Sequence, residues 1–164
     1  MGFKTFAIGR GKDKEEMARK LGAIHYVDNW PQNAAEELAN MGDAKVILAT
    51  VPSGKAMSAV LDGLTINDKL IVIGAGDENS EVSPLLLISG RGSIMGWAGG
   101  TCIDSQDTLS FSVLSDVRSI NAVFPLECAA DAYESMMRGK ASLRCVLTTD
   151  NLQLGKERSR CHSI

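Results

Sequence analysis

The residues best placed to do chemistry stand near the start of the chain, in TFAIGRGKDKEEMARKLGA, Thr5 to Ala23. A short apolar run leads into Gly9-Arg10-Gly11-Lys12, and an amphipathic segment follows. A guanidinium grips phosphate through two charge-assisted hydrogen bonds, and a neighbouring ammonium adds a point charge. The turn therefore suits a nucleotide phosphate, or it is a solvated basic turn at a helix start. A dinucleotide site also needs a glycine-rich loop before this strand, and Met1 to Lys4 contain none.

Other chemistry is thinly represented. Four cysteines, Cys102, Cys128, Cys145 and Cys161, form no Cys-x-x-Cys pair, and only His25 and His162 could join them. That spacing does not support zinc, so no metal is expected. The thiols are expected to be reduced and packed as small hydrophobes. His25 reads as a strand residue and His162 as a tail residue, neither with an acid–base partner pattern. Asp77, Glu78 and Asp104 are candidate proton-transfer groups, although carboxylates in loops are mostly solvated.

These residues need a scaffold, and strand and helix patterns alternate along the chain. Apolar or β-prone runs at Lys4–Ile8, Ile24–Val27, Lys45–Val51, Lys69–Ile73, Ser93–Trp97, Ile120–Phe124 and Leu143–Thr148 read as strands. Helical spacing appears at Asp13–Leu21, Gln32–Met41, after Ser53 through Leu64, at Ser83–Ile88, at Asp104–Leu114 and from Pro125 to Gly139. Ser53 is a candidate N-cap, and Asn67-Asp68 a turn. The last helix presents Leu126, Ala129, Ala130, Tyr133, Met136 and Met137 on one face. Continuous apolar strands alternating with helices predict an α/β fold with a doubly wound parallel sheet. One domain over residues 1–149 is expected, with a polar tail over 150–164.

Bulk numbers agree with that class. The chain has 164 residues, 45% hydrophobic and 23% charged, enough to bury a core. A net charge of -3 gives no global signal for nucleic acid or an anionic membrane. No apolar run spans a bilayer and no signal-peptide pattern opens the chain, so a cytoplasmic protein is expected.

Five segments, AIGRGKDKEEMARKLGA, KVILATVPSGKAMSAVLDGL, KLIVIGAG, SPLLLISGRGSIMGWAGGT and AYESMMRGKASLRCVLT, together resemble the cofactor-binding domain of zinc-dependent medium-chain alcohol dehydrogenases, nearest to microbial or fungal NADP-type members. The resemblance covers nearly residues 1 to 149. It implies a Rossmann-like sheet lacking its first strand and glycine-rich loop, with the catalytic zinc domain absent as well. The resemblance places Gly9 where NAD-selective relatives carry a ribose-binding acid, and Arg10 and Lys14 beside the same ribose. It puts Thr50 and Val51 in the cofactor crevice, where parallel strands end. Ile73-Gly74-Ala75 and the stretch holding Trp97 and Gly99 resemble the backbone that binds the nicotinamide carboxamide, and Arg144 an arginine that reaches the pyrophosphate.

In a strand order of 3-2-1-4-5-6 the first strand lies mid-sheet. Its loss leaves Lys4–Ile8 and Lys45–Val51 without their shared neighbour. Those edges must pair directly, recruit a strand from another copy, or stay open. A homodimer is expected, also because relatives pair through the strand resembling Ser93–Trp97. The expected ligand is a nucleotide cofactor, NADP by resemblance, held weakly or not at all by this chain, with no zinc. The expected function is a truncated cofactor-binding domain not competent for hydride transfer alone. The alternatives are a remodelled isomerase, lyase or cyclase acting on a small apolar substrate, and a non-catalytic dimeric binding module. The catalytic residues stay unassigned.

Overall fold

Every expected strand pairs in parallel in the computed structural model of the chain, which describes residues 2–29, 33–138 and 144–149. The chain divides into two compact units, Met1–Thr101 and Cys102–Ile164. The first runs β1 (Phe6–Gly9), α1 (Glu15–Lys20), β2 (His25–Asp28), α2 (Ala34–Asn40), β3 (Ala44–Ala49), α3 (Gly54–Ser58), β4 (Leu64–Val72), α4 (Pro84–Gly90) and β5 (Ser93–Gly96). The second holds α5 (Cys102–Leu114), β6 (Asn121–Pro125), α6 (Ala129–Met137) and β7 (Arg144–Thr148). Alternating parallel strands and helices make the fold Rossmann-like. Gln32, Gly139, Leu143 and the tail from Asn151 onward, all part of the sequence expectations, lie outside the described residues.

Local chemistry explains where the helices start. The Asn33 side chain accepts a hydrogen bond from the Ala35 N–H at 3.1 Å and caps α2. Ser53 Oγ accepts from the Ala56 N–H at 3.4 Å and caps α3, as its position predicts. The helix after Ser53 is shorter than its apolar spacing suggests, ending at Ser58 and followed by one 3₁₀ turn, Leu61–Gly63. Gly63 explains the close fit of that turn: a Cβ there would stand 2.9 Å from Leu38 Cδ1 on α2.

Strand β4 starts earlier than expected, at Leu64. Asn67-Asp68 is thus a kink inside a strand rather than a turn before one. Asn67 takes a left-handed φ of 67°, and the buried Asp68 carboxylate accepts the Thr65 N–H at 2.9 Å and the Thr65 hydroxyl. The side-chain bonds replace the ladder bonds that the kink interrupts.

The first unit buries one continuous core. Val27 of β2, Ala34 and Leu38 of α2, Ile47 and Ala49 of β3, Met57, Val60, Leu61 and Leu70 of β4 cluster, with Phe6 and Ile8 of β1 packed against them. Yet among the described residues β1 pairs only with β2, while β3 joins the separate sheet β3-β4-β5. The two edges therefore share a core without sharing hydrogen bonds, and direct pairing of β1 with β3 does not occur. Strand β3 shows the consequence: Ile47 and Ala49 are buried, whereas Val46 and Leu48 remain 46% and 59% exposed.

In the second unit β6 pairs with β7 from Asn121↔Arg144 to Pro125↔Thr148. The apolar face expected for α6 is not its buried one. Cys128, just before α6, and Ala132 are buried, while Tyr133, Met136 and Met137 stay exposed. Spacing finds a stripe but not the surface that covers it. Cys102 and Cys145 are free thiols, but Cys128 is disulfide-bonded. That corrects the expectation of reduced thiols, because spacing does not reveal which sulfurs the chain brings together.

Candidate cofactor site

At the end of β1, small residues face large ones. The register Ala7↔Tyr26 and Gly9↔Asp28 sets Ala7 and Gly9 beside Tyr26 and Asp28, since alternate strand residues share a face. The two β2 side chains clamp the basic turn. Tyr26 Oη donates to the Gly11 carbonyl at 2.7 Å, and the Gly11 N–H donates to Asp28 Oδ1 at 2.9 Å. Gly11 has φ 78°, which only glycine adopts at little cost. Burial raises the Tyr26 pKa above its ordinary value, and Asp28, Asp13 and Glu15 raise it further. The turn presents Arg10, Lys12 and Lys14 exposed. Neither Tyr26 nor Asp28 was legible as a site residue; the only signal was large residues at period two opposite small ones.

The second group forms at the ends of β3, β4 and β5. Ala49 pairs with Val72, and Val72 with Gly96, so Thr50, Ile73 and Trp97 leave the sheet at one level. The Ile73 and Gly74 N–H groups both donate to the Ala49 carbonyl at 2.9 Å, and the Trp97 N–H donates to the Val72 carbonyl at 2.9 Å. Here glycine serves loop against loop. A Cβ on Gly74 would lie 2.4 Å from the Thr50 carbonyl oxygen, and one on Gly76 2.4 Å from that of Pro52. Val51, Ala75 and Trp97 are exposed around these strand ends, and Gly99 follows with φ 145°. Parallel sheets bind ligands at such strand ends.

Arg144 opens β7 in the second unit and is exposed. Of the candidate acids, Glu78 accepts the Ser53 hydroxyl at 2.9 Å, while Asp77 lies exposed in the same loop. Among the described residues, no three of His, Cys, Asp and Glu gather closely enough to hold a metal ion. None of the described helices is long and apolar enough to cross a membrane.

The residues fit a nucleotide at one end. Arg10, Lys12 and Lys14 are exposed cations just after β1, although Asp28 takes up the Gly11 N–H. A pyrophosphate needs clustered backbone donors at a helix N-terminus, and none of the sequence before β1 has the glycine pattern for it.

Known proteins resemble this chain over most of its length. The family model described as zinc-binding dehydrogenase matches residues 1–113. Alcohol dehydrogenase notN of an Aspergillus species is 37% identical over 150 residues, covering 92% of this chain and 44% of that protein. Alcohol dehydrogenase patD of Penicillium expansum is 32% identical over 147 residues, 90% of this chain and 43% of the relative. The alcohol dehydrogenase of Aeropyrum pernix superposes with a TM-score of 0.78 at 22% identity, covering 88% of this chain and 42% of that one. The chain thus spans less than half the length of the relatives it matches.

Proposed function

The chain belongs to the zinc-binding dehydrogenase family, and we propose that it is the NADP-binding part of an alcohol dehydrogenase. In this reading residues 1–149 are one cofactor domain, which alone does not carry out hydride transfer. The cofactor supplies the hydride; this chain supplies contacts that hold and orient it. Arg10 and Lys14 meet the ribose 2′-phosphate. Thr50, Val51, Ile73, Gly74, Ala75, Trp97 and Gly99 line the way toward the nicotinamide. A cytoplasmic setting agrees with the free thiols Cys102 and Cys145 and is opposed by the bonded Cys128.

One observation carries the NADP preference: β1 ends in Gly9, with no carboxylate, followed by the exposed Arg10. An acid there would repel a 2′-phosphate, and a guanidinium attracts it. In the protein joined to a relative's glycine-loop segment, NADPH is expected to bind more tightly than NADH. Arg10→Asp is expected to reverse that order by more than tenfold, about 1.4 kcal/mol. Titration with both nucleotides checks this; an unchanged ratio makes Arg10 a surface charge.

The proposed assembly is a two-fold dimer through β5. That strand pairs only with β4 among the described residues, and Ile94 and Met95 on it are 39% and 43% exposed. An open edge with apolar side chains recruits a second strand, and a two-fold axis lets two copies satisfy each other. Light scattering is expected to give twice the chain mass, and Ile94→Lys to halve it. A wild-type mass of one chain on dilution sinks the dimer.

A further inference from the structure

We propose that Tyr26 is a specificity-determining residue, one that keeps position 9 free of a side chain and so excludes the carboxylate a non-phosphorylated ribose needs. This deepens the reading of the β1 turn as a ribose-phosphate site and rests on it. A Cβ built on Gly9 would lie 2.3 Å from Tyr26 Oη, 3.0 Å from Cζ and 3.2 Å from Cε2. Three ring-end atoms occupy the space, so a side chain at position 9 has to displace Tyr26, and the constraint comes from that neighbour rather than from backbone conformation. Gly9 does not take a positive φ.

Moving the ring away costs a hydrogen bond. Its hydroxyl is held by the Gly11 carbonyl at 2.7 Å, and the Gly11 N–H is held by Asp28 at 2.9 Å. Swinging Tyr26 aside breaks the first bond and leaves the turn that carries Arg10 tied to β2 by the Asp28 bond. Burial, and then the acids around the hydroxyl, Asp28, Asp13 and Glu15, favour its protonated, donating form. One side chain therefore does two things: it shapes the turn that presents the guanidinium, and it blocks the position from which an acid would grip a free 2′-hydroxyl.

The test combines unfolding and fragment binding on the 164-residue chain. Urea unfolding compares wild type, Gly9→Asp, Tyr26→Val and the double variant; valine keeps a strand-forming residue while removing the ring. Gly9→Asp is expected to lower the midpoint in the wild-type background and to lower it much less in the Tyr26→Val background. Tyr26→Phe, which keeps Cζ, is expected to relieve only part of the loss. Titration with 2′-AMP and with adenosine, followed by NMR, then reads selectivity. The double variant is expected to shift the ratio toward adenosine by at least tenfold, whereas Gly9→Asp alone gains no adenosine binding. Equal midpoint losses in both backgrounds overturn the blocking role whatever the turn binds. Coupled midpoints with an unchanged ratio overturn the ribose-site reading and the specificity role with it. If Tyr26→Val does not fold, Gly9→Ala measured with and without Tyr26→Phe gives the same coupling, and additive losses there overturn the proposal.

Discussion

NADPH is expected to bind the 164-residue chain more weakly than about 1 μM, that is, with less than about 8 kcal/mol. The pyrophosphate carries most of the charge of the ligand, and Rossmann sites meet it with backbone N–H groups of a glycine loop at a helix N-terminus. The sequence before β1 supplies no such loop. What remains are exposed side chains, Arg10 and Lys14 in the first unit and Arg144 in the second. Exposed cations gain little from an anion that water and salt also solvate. Joining the strand and glycine loop of a relative ahead of Met1 is expected to tighten binding at least 100-fold, about 2.7 kcal/mol. Fluorescence titration of NADPH with both proteins decides it. Micromolar binding by the shorter protein means that the pyrophosphate finds donors in this chain that its sequence does not announce.

Much of this architecture was legible because buried parallel strands write themselves as apolar runs. Lys45–Val51 and Lys69–Ile73 announced β3 and the second half of β4, and Ser53 marked the start of the helix between them. The first half of β4 was not legible. Asn67 and Asp68 read as a turn, whereas Leu64 already pairs with Ala44 of β3 and the bond from the Thr65 N–H to the buried Asp68 carboxylate spans the kink that follows. The site was half legible for a similar reason. Arg10 stands out by charge, and the ends of β3, β4 and β5 follow from topology. Tyr26 does not, because its role depends on which residue lies across the β1-β2 ladder. The glycines divide the same way. Gly74 looks like a ligand-facing glycine in the sequence, whereas its missing Cβ makes room for the Thr50 carbonyl.

The largest stability effect is expected at Leu70. It lies on β4, the strand between β3 and β5, opposite Ile47 on one side and Ile94 on the other, and is 2% exposed. Leu70→Ala removes buried methyl groups and leaves a cavity that a three-stranded sheet cannot easily collapse, at a cost of about 2–5 kcal/mol. Small domains have only about 5–15 kcal/mol in hand, so much of the chain is expected to be unfolded at modest urea. Leu48 gives the contrast. It sits one residue beyond Ile47 on β3 but points to the uncovered face, 59% exposed. Leu48→Ser is expected to change stability by no more than about 0.5 kcal/mol. The two substitutions separate again once a strand and helix are supplied ahead of Met1. A doubly wound sheet is covered on both faces, so Leu48 then becomes core, and Leu48→Ser is expected to cost more than about 1 kcal/mol. Urea unfolding of both parent proteins and their variants reads both effects. If Leu48→Ser is equally harmless with and without the added segment, that segment does not complete this sheet.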